Sequence, residues 1–289
     1  MTNTSLDLSE KIDKVVVCAL GRIHQILSSM SIPFFIVGAT ARDILLEAHY
    51  GIGSKRATVD IDIAVFIANW DLFKRLKDEL IGATDFTPTR DSHRLLFKKR
   101  LPVDIVPFGE VAEKGDLIEW PPDGSFKMNV TGFRECFQHA VKVKISDKPK
   151  LSVNVVSLAG LAILKLISWD ENSVRRQKDA SDLIFIIRNY LDAGNLERLV
   201  EEAPDIVDSD EYDYEGGSAR LLGRDISKIA YTSTLAQIIQ ILKRESQGKR
   251  GHRIAMDVLQ SRRLTEESYE EVSALFDALL KGLTDDKNR

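Results

Sequence analysis

Asp60-Ile61-Asp62 lies within the run Ala57-Thr58-Val59-Asp60-Ile61-Asp62-Ile63-Ala64-Val65. The flanks are β-branched and apolar, which reads as a strand. Side chains alternate across a strand, so the two carboxylates project from one face while Ile61 and Ile63 project from the other, into a core. Carboxylates one pleat apart repel each other at neutral pH. The pair is therefore either a solvated strand face or a seat for a cation, and Mg²⁺ takes carboxylate oxygens. Any fold this chain adopts has to bury one face of the strand and leave the other open to the acids.

The 289 residues suggest one large or two modest domains. With 44% hydrophobic and 29% charged residues, disorder throughout is excluded. A net charge of −4 supplies no global basic field, so a nucleic-acid partner would have to meet a local basic patch. Cys18 and Cys136 form no Cys-x-x-Cys pair, which argues against a zinc site or a disulfide framework and fits a reducing cytosol. Both are expected to be buried small apolar residues. The start, Met1 to Ser5, has neither a basic nor an apolar signal character, and no 18-residue apolar run occurs. The expectation is a cytoplasmic protein with no membrane span.

Along the chain, Asp7 to Ser29 reads as a first helix opened by Asp7-x-x-Glu10, a variant capping box. His24 lies off its apolar face and is expected to be solvated. Ile32 to Val37 reads as a strand that Gly38-Ala39-Thr40 turns into a helix, Ala41 to Ala48. Strand, small-residue turn and helix start make either a phosphate seat or simply a tight connection. Tyr50 to Ala57 is a loop, Asp71 to Leu80 a helix, and Arg94–Lys98 with Pro102–Val106 a hairpin turning at Lys99-Arg100-Leu101. Asp104 sits between Val103 and Ile105, where an acid is costly without a partner. It either pairs with an Arg or Lys across the sheet or joins Asp60 and Asp62 around metal, and the latter is preferred. Strands are expected over Cys136–Ile145 and Leu151–Val156. Helices are expected over Ser157–Ile167, Val174–Leu191, Asp225–Glu245 and Glu266–Leu283, with a polar break from Trp169 to Ser173. The acidic stretch Glu201 to Gly217 reads as a solvated loop. Lys243, Arg244, Lys249, Arg250, His252, Arg253, Arg262 and Arg263 form a basic cluster that reads as solvated helix faces or as a phosphate-facing patch.

The order Gly38-Ala39, then Asp60 and Asp62, then Asp104 resembles the polymerase-β-type nucleotidyltransferase superfamily. Lys165-Leu166, Arg175-x-x-Lys178-Asp179-x-x-Asp182-Leu183 and Arg56-x-Thr58-x-Asp60-x-Asp62 are similar to motifs of the AbiEii-like nucleotidyltransferase toxins. Ala219 to Asp225 is similar to a segment of some members. The resemblance covers roughly residues 30 to 230. Ala39 replaces the usual second Gly or Ser of the turn, and Gly38-Ala39-Thr40-Ala41-Arg42-Asp43 is also similar to the Gly-Gly-x-x-Arg-Asp run of CCA-adding enzymes and poly(A) polymerases.

The resemblance implies an α/β (α+β) fold, a nucleotidyltransferase core with a mixed sheet and flanking helices; the change in residue texture from Ser157 sets a boundary near residue 150, giving this core over 1–150 and a mainly helical domain over 151–289. The resemblance also implies transfer of a nucleoside monophosphate from an NTP to an acceptor, with two Mg²⁺ ions held by Asp60, Asp62 and Asp104. Gly38, Ala39, Thr40 and Arg42 would serve the triphosphate, with Lys165 neutralising phosphate charge and Asp179 contributing to catalysis. Lys178 and Asp182 are expected to form either part of this motif or an ordinary i, i+4 ion pair. An RNA such as tRNA is the implied acceptor, and a cognate antitoxin the implied partner. The alternatives are a small-molecule (antibiotic) nucleotidyltransferase and a nucleotide-binding module without transfer.

Overall fold

The computed structural model describes residues 6–54, 59–112, 115–122, 124, 126–172, 176–210, 212–247, 252–261 and 268–285. Arg56, Thr58, Arg175, Lys249, Arg250, Arg262 and Arg263 lie outside the described residues. The chain divides into two compact units, Met1–Ser157 and Leu158–Arg289.

The first unit is built on an eight-stranded mixed sheet. In chain order its strands are β1 (Leu6–Asp7), β2 (Phe34–Val37), β3 (Ile61–Phe66), β4 (Phe86–Pro88), β5 (Arg94–Phe97) and β6 (Leu101–Phe108). A separate pair, β7 (Leu117–Glu119) and β8 (Lys127–Asn129), precedes the last two strands of the main sheet, β9 (Val141–Asp147) and β10 (Lys150–Val155). The spatial order is β1-β9-β10-β2-β3-β6-β5-β4. At its centre β3 runs antiparallel to β2 and parallel to β6. Ile61, Ile63 and Val65 are buried, as are Val103 and Ile105 on β6. Each such side chain contributes about 1.5–3 kcal/mol of apolar burial. Those interior positions alternate with Asp62 and Asp104, which the sheet leaves partly open.

The first helix, α1 (Lys14–Ser29), begins later than the sequence suggests. Asp13 caps it, its Oδ1 accepting from the Val15 and Val16 N–H groups at 2.7 and 3.3 Å. Leu6 and Asp7 instead pair with Val143 and Lys144 of β9, where Lys144 Nζ reaches Asp7 Oδ2 at 2.7 Å. The sheet edge thus takes residues that a local capping pattern would have placed in the helix. His24 is only partly exposed, its ring 6.1 Å from that of Phe34. Cys18 is exposed, against expectation, whereas Cys136 is buried. Burial pushes the Cys136 thiol pKa well up. Cys136 belongs to a short helix, α4 (Phe133–Gln138), so β9 starts only at Val141.

After β2 the chain forms α2 (Gly38–Arg42), which continues as a π-type turn over Asp43–His49. Another helix of this unit, α3 (Trp70–Gly82), follows β3 and is capped by Asn69.

The second unit is helical among the described residues. It comprises α5 (Leu158–Glu171), α6 (Gln177–Asn189), α7 (Leu196–Glu202), α8 (Pro204–Val207), α9 (Tyr214–Ile229), α10 (Thr232–Gln247), α11 (Arg253–Ser261) and α12 (Tyr269–Thr284). No polar break occurs at Trp169: α5 runs through it, and the buried indole donates to Asp257 Oδ2 at 2.8 Å. One long helix expected over Asp225–Glu245 is two, α9 and α10. The acidic stretch is partly helical, in α7, α8 and the start of α9, while most of its described acids are exposed. Asp205 accepts from Arg224 Nη1 at 2.9 Å, and Asp213 caps α9. Within the basic cluster, Arg244 binds Asp170 at 2.5 Å and Arg253 lies 4.7 Å over the Trp169 ring. These two cations are thus engaged inside the unit. Helices α9 and α12 touch backbone to backbone, since a Cβ on Gly282 would fall 2.1 Å from the Arg220 carbonyl oxygen. No helix among the described residues is long and apolar enough to cross a membrane.

Candidate active site

Strand register carries the site. On adjacent strands Val37 stands opposite Asp62, Asp62 opposite Asp104, and Asp104 opposite Arg94. Asp60 lies one pleat before Asp62, at the entry to β3. Asp60, Asp62 and Asp104 each offer a carboxylate oxygen, and these atoms all lie within 4.8 Å of one another. Asp104, distant in sequence, therefore forms one cluster with Asp60 and Asp62.

The turn after β2 is shaped by that cluster. Gly38 adopts φ +65°, and a Cβ there would fall 2.1 Å from Asp62 Oδ2. Left-handed backbone and contact with a carboxylate together select glycine. Thr40 is buried, and its hydroxyl donates to the Asp60 carbonyl oxygen at 2.7 Å. That hydroxyl holds the aspartate strand in place, so what Thr40 can offer an anion is its backbone N–H. Arg42 is buried, with Nε and Nη2 donating to Asp43 Oδ1 at 2.9 and 2.7 Å. Ala39 occupies the same short helix.

Arg94 is the member of the site that the sequence left unnamed. Its Nε donates to Asp104 Oδ1 and its Nη2 to Asp104 Oδ2, both at 2.6 Å, while Nη2 also reaches Asp60 Oδ2 at 3.4 Å. The forked contact with Asp104 raises the guanidinium pKa above its usual value. Of the two readings of Asp104, the structure shows the ion pair with an arginine across the sheet; its carboxylate also lies beside those of Asp60 and Asp62.

Lys165, on α5, and Asp179, on α6, are together in the second unit. Lys165 Nζ donates to Asp179 Oδ1 at 2.7 Å and to Asp182 Oδ2 at 2.6 Å, and all three are largely buried. Burial alone would lower the lysine pKa, but Asp179 and Asp182 outweigh it and the net shift is upward. Asp182 therefore answers Lys165, and Lys178 is exposed. Asp179 Oδ2 is buried without a hydrogen bond, with Arg176 Nη1 3.7 Å away. In the Ala219–Asp225 segment, Arg224 is spent on Asp205 and Asp285, and Asp225 on Tyr190 and Arg198.

A glycine turn packed on an Asp-x-Asp strand, with a third aspartate on the parallel neighbour, defines a nucleotidyltransferase core. Residues 26–205 match the family described as nucleotidyl transferase AbiEii toxin, type IV TA system, and the chain belongs to that family. It is accordingly a nucleotidyltransferase. No curated protein matches it significantly. Among solved structures, the antibiotic-resistance factor ANT(2'')-Ia is 12% identical at a TM-score of 0.35, covering 68% of this chain and 96% of its own. A CCA-adding enzyme in its apo form is 16% identical at a TM-score of 0.34, covering 96% and 66%. The Thermotoga maritima CCA-adding enzyme complexed with tRNA is 13% identical at a TM-score of 0.28, covering 96% and 83%.

Proposed function

We propose that this chain transfers a nucleoside monophosphate from an NTP to an RNA acceptor such as a tRNA, as a toxin that a cognate antitoxin restrains. The observation that carries the reading is the convergence of the Asp60, Asp62 and Asp104 oxygens within 4.8 Å. An all-carboxylate donor set is the chemistry that Mg²⁺ selects. A cationic guanidinium already rests among these acids, so their field favours positive charge. Asp60, Asp62 and Asp104 would hold the Mg²⁺, two ions on this reading. Bound there, the ions would neutralise phosphate charge and lower the pKa of the attacking hydroxyl.

The chain's own groups supply the rest. Backbone N–H groups of Gly38, Ala39 and Thr40 would receive the triphosphate, with Arg42, paired to Asp43, beside them. The acceptor oxygen attacks the α-phosphorus and the α–β bridging bond breaks. Pyrophosphate leaves with the bridging electron pair, and the hydroxyl proton passes to Asp104. Lys165 and Asp179 are proposed to serve the reaction as well, on the strength of their motif and family. The first unit would then be the transfer core.

Labelled NTPs incubated with Mg²⁺, total RNA and the protein should label RNA and release pyrophosphate. Asp60→Ala should abolish both, and unchanged labelling by that variant would sink the assignment. The net charge of −4 favours a second reading, transfer to a cationic small molecule. Growth arrest on expressing the chain alone supports the RNA-directed toxin instead.

A further inference from the structure

Arg94 holds both oxygens of Asp104 and leans on Asp60, which are two of the three acids proposed to bind Mg²⁺. A guanidinium and a divalent ion cannot share that carboxylate comfortably, because like charges a few ångströms apart repel strongly in a partly buried site. Asp104 is mostly shielded from solvent, with its side chain 13% exposed, whereas the Arg94 side chain is 32% exposed and has room to move. The arginine sits on β5, directly across the ladder from Asp104 and on the face that carries all three acids. Leaving Asp104 would therefore not take it out of the site. Its planar fork suits a phosphate as well as a carboxylate.

We propose that Arg94 serves as the site's own countercharge, which an incoming divalent ion displaces from Asp104 and which then passes to the phosphates that the ion carries. The inference rests on the metal reading of the acid cluster. It makes loading conditional: a bare ion has to evict Arg94 without offering it a replacement partner, whereas an ion bound to a polyphosphate brings that partner along. Arg94 thus biases the site against free metal and towards the metal–polyphosphate complex.

Titrating chelator-treated protein with Mn²⁺, followed by electron paramagnetic resonance, reads the ion alone. Mg²⁺ tripolyphosphate, followed by calorimetry, reads the complex. Arg94→Gln should bind Mn²⁺ alone about tenfold more tightly than the unaltered chain and bind Mg²⁺ tripolyphosphate about tenfold more weakly. Arg94→Lys should fall between them on both readouts. A purely structural arginine would not produce this crossover. Equal or weaker Mn²⁺ binding by Arg94→Gln overturns the displacement, and unchanged tripolyphosphate binding overturns the hand-over.

A measurement on the unaltered chain guards against misfolded variants. In ¹⁵N spectra of the arginine side chains, assigned by the signal missing from Arg94→Lys, Mg²⁺ tripolyphosphate should shift the Arg94 Nε–H. A signal that stays put while the complex binds overturns the proposal. If the unaltered chain, Arg94→Gln and Asp104→Asn all fail to bind Mn²⁺, the acid cluster is no ion site and the proposed function falls with the inference. If the unaltered chain binds and Asp104→Asn does not, the cluster stands and the Arg94 result is judged on its own.

Discussion

Gly38 is pressed against Asp62: with φ at +65°, any Cβ it carried would sit 2.1 Å from Asp62 Oδ2. The turn that starts α2 and the strand that carries the acids are thus fitted to each other at one atom. Gly38→Ala has to move the carboxylate, the turn or both, while also straining a left-handed backbone. Such strain costs on the order of 1–3 kcal/mol. The variant should fold with a Tm lowered by several degrees and lose at least a hundredfold in transfer activity. Calorimetry and the RNA-labelling assay check the two arms, and near-normal turnover would mean that the Asp62 position is not critical.

Thr40 has a subtler task. Its hydroxyl satisfies the Asp60 carbonyl at 2.7 Å, so Thr40→Val keeps the shape and removes the donor. Leaving such an acceptor unmade costs about 1–3 kcal/mol. Thr40→Ser should retain most of the stability and activity, whereas Thr40→Val should lower both, with turnover down roughly tenfold for a shift of about 1.4 kcal/mol. If Thr40→Val turns over normally, the bond is incidental to the site.

What the sequence made legible follows from how local each signal is. The Asp60–Asp62 strand could be read because alternation is a property of one strand. Asp104 could be read because an acid among Val103, Ile105 and Val106 needs a partner wherever it lies. Arg94 escaped because its partner depends on hairpin register. A turn at Lys99-Arg100-Leu101 sets Arg94 opposite Val106. The observed pairing of Phe97 with Leu101 closes the hairpin one residue earlier and brings Arg94 opposite Asp104. Lys98 and Lys99 take positive φ, 49° and 57°, which non-glycine residues seldom adopt, so propensity pointed elsewhere. The helical unit was blurred for a different reason. Its polar groups pair across sequence distance, as Trp169 does with Asp257 and Arg224 with Asp285, and no local pattern reports such partners.

Lys165 is held by two buried carboxylates, and removing it leaves Asp179 and Asp182 facing each other. Breaking a buried ion pair from one side costs about 3–5 kcal/mol. Lys165→Met should therefore unfold at markedly lower temperature at pH 7. Without the lysine charge, protonation of the two neighbouring buried acids is favoured, so the deficit should narrow as pH falls towards 5. In the unaltered chain the lysine pKa is raised above 10.5 by its partners. Its stabilising effect is complete below that value and is lost only as pH climbs through the folded-state pKa, so alkaline unfolding is where the intact cluster should fail. Asp182→Asn in the Lys165→Met background should recover part of the loss in thermal melts. Absence of recovery would mean that the two acids do not oppose each other.

Asp225 gives the opposite pH signature. Burial would raise its pKa, but hydrogen bonds from Arg198 at 2.9 and 3.0 Å and from the Tyr190 hydroxyl at 2.7 Å outweigh that and hold it below 3.8. A carboxylate whose folded pKa is depressed stabilises the protein above its unfolded value, and that contribution is lost as pH falls through the folded one. The Tyr190 phenol pays the converse toll, since burial first and then the Asp225 charge push its pKa well up. Tyr190→Phe removes one of the bonds that hold Asp225 charged, at a cost of about 1.5–3 kcal/mol for a hydrogen bond to an ionised group. The variant should be less stable at pH 7, with the difference shrinking below about pH 3.8 as Asp225 protonates in both proteins. Urea melts across pH 2.5 to 7 measure the gap; a gap that stays constant would show that the hydroxyl's contribution does not depend on the charge of Asp225, and no gap would show that Tyr190 contributes its ring alone.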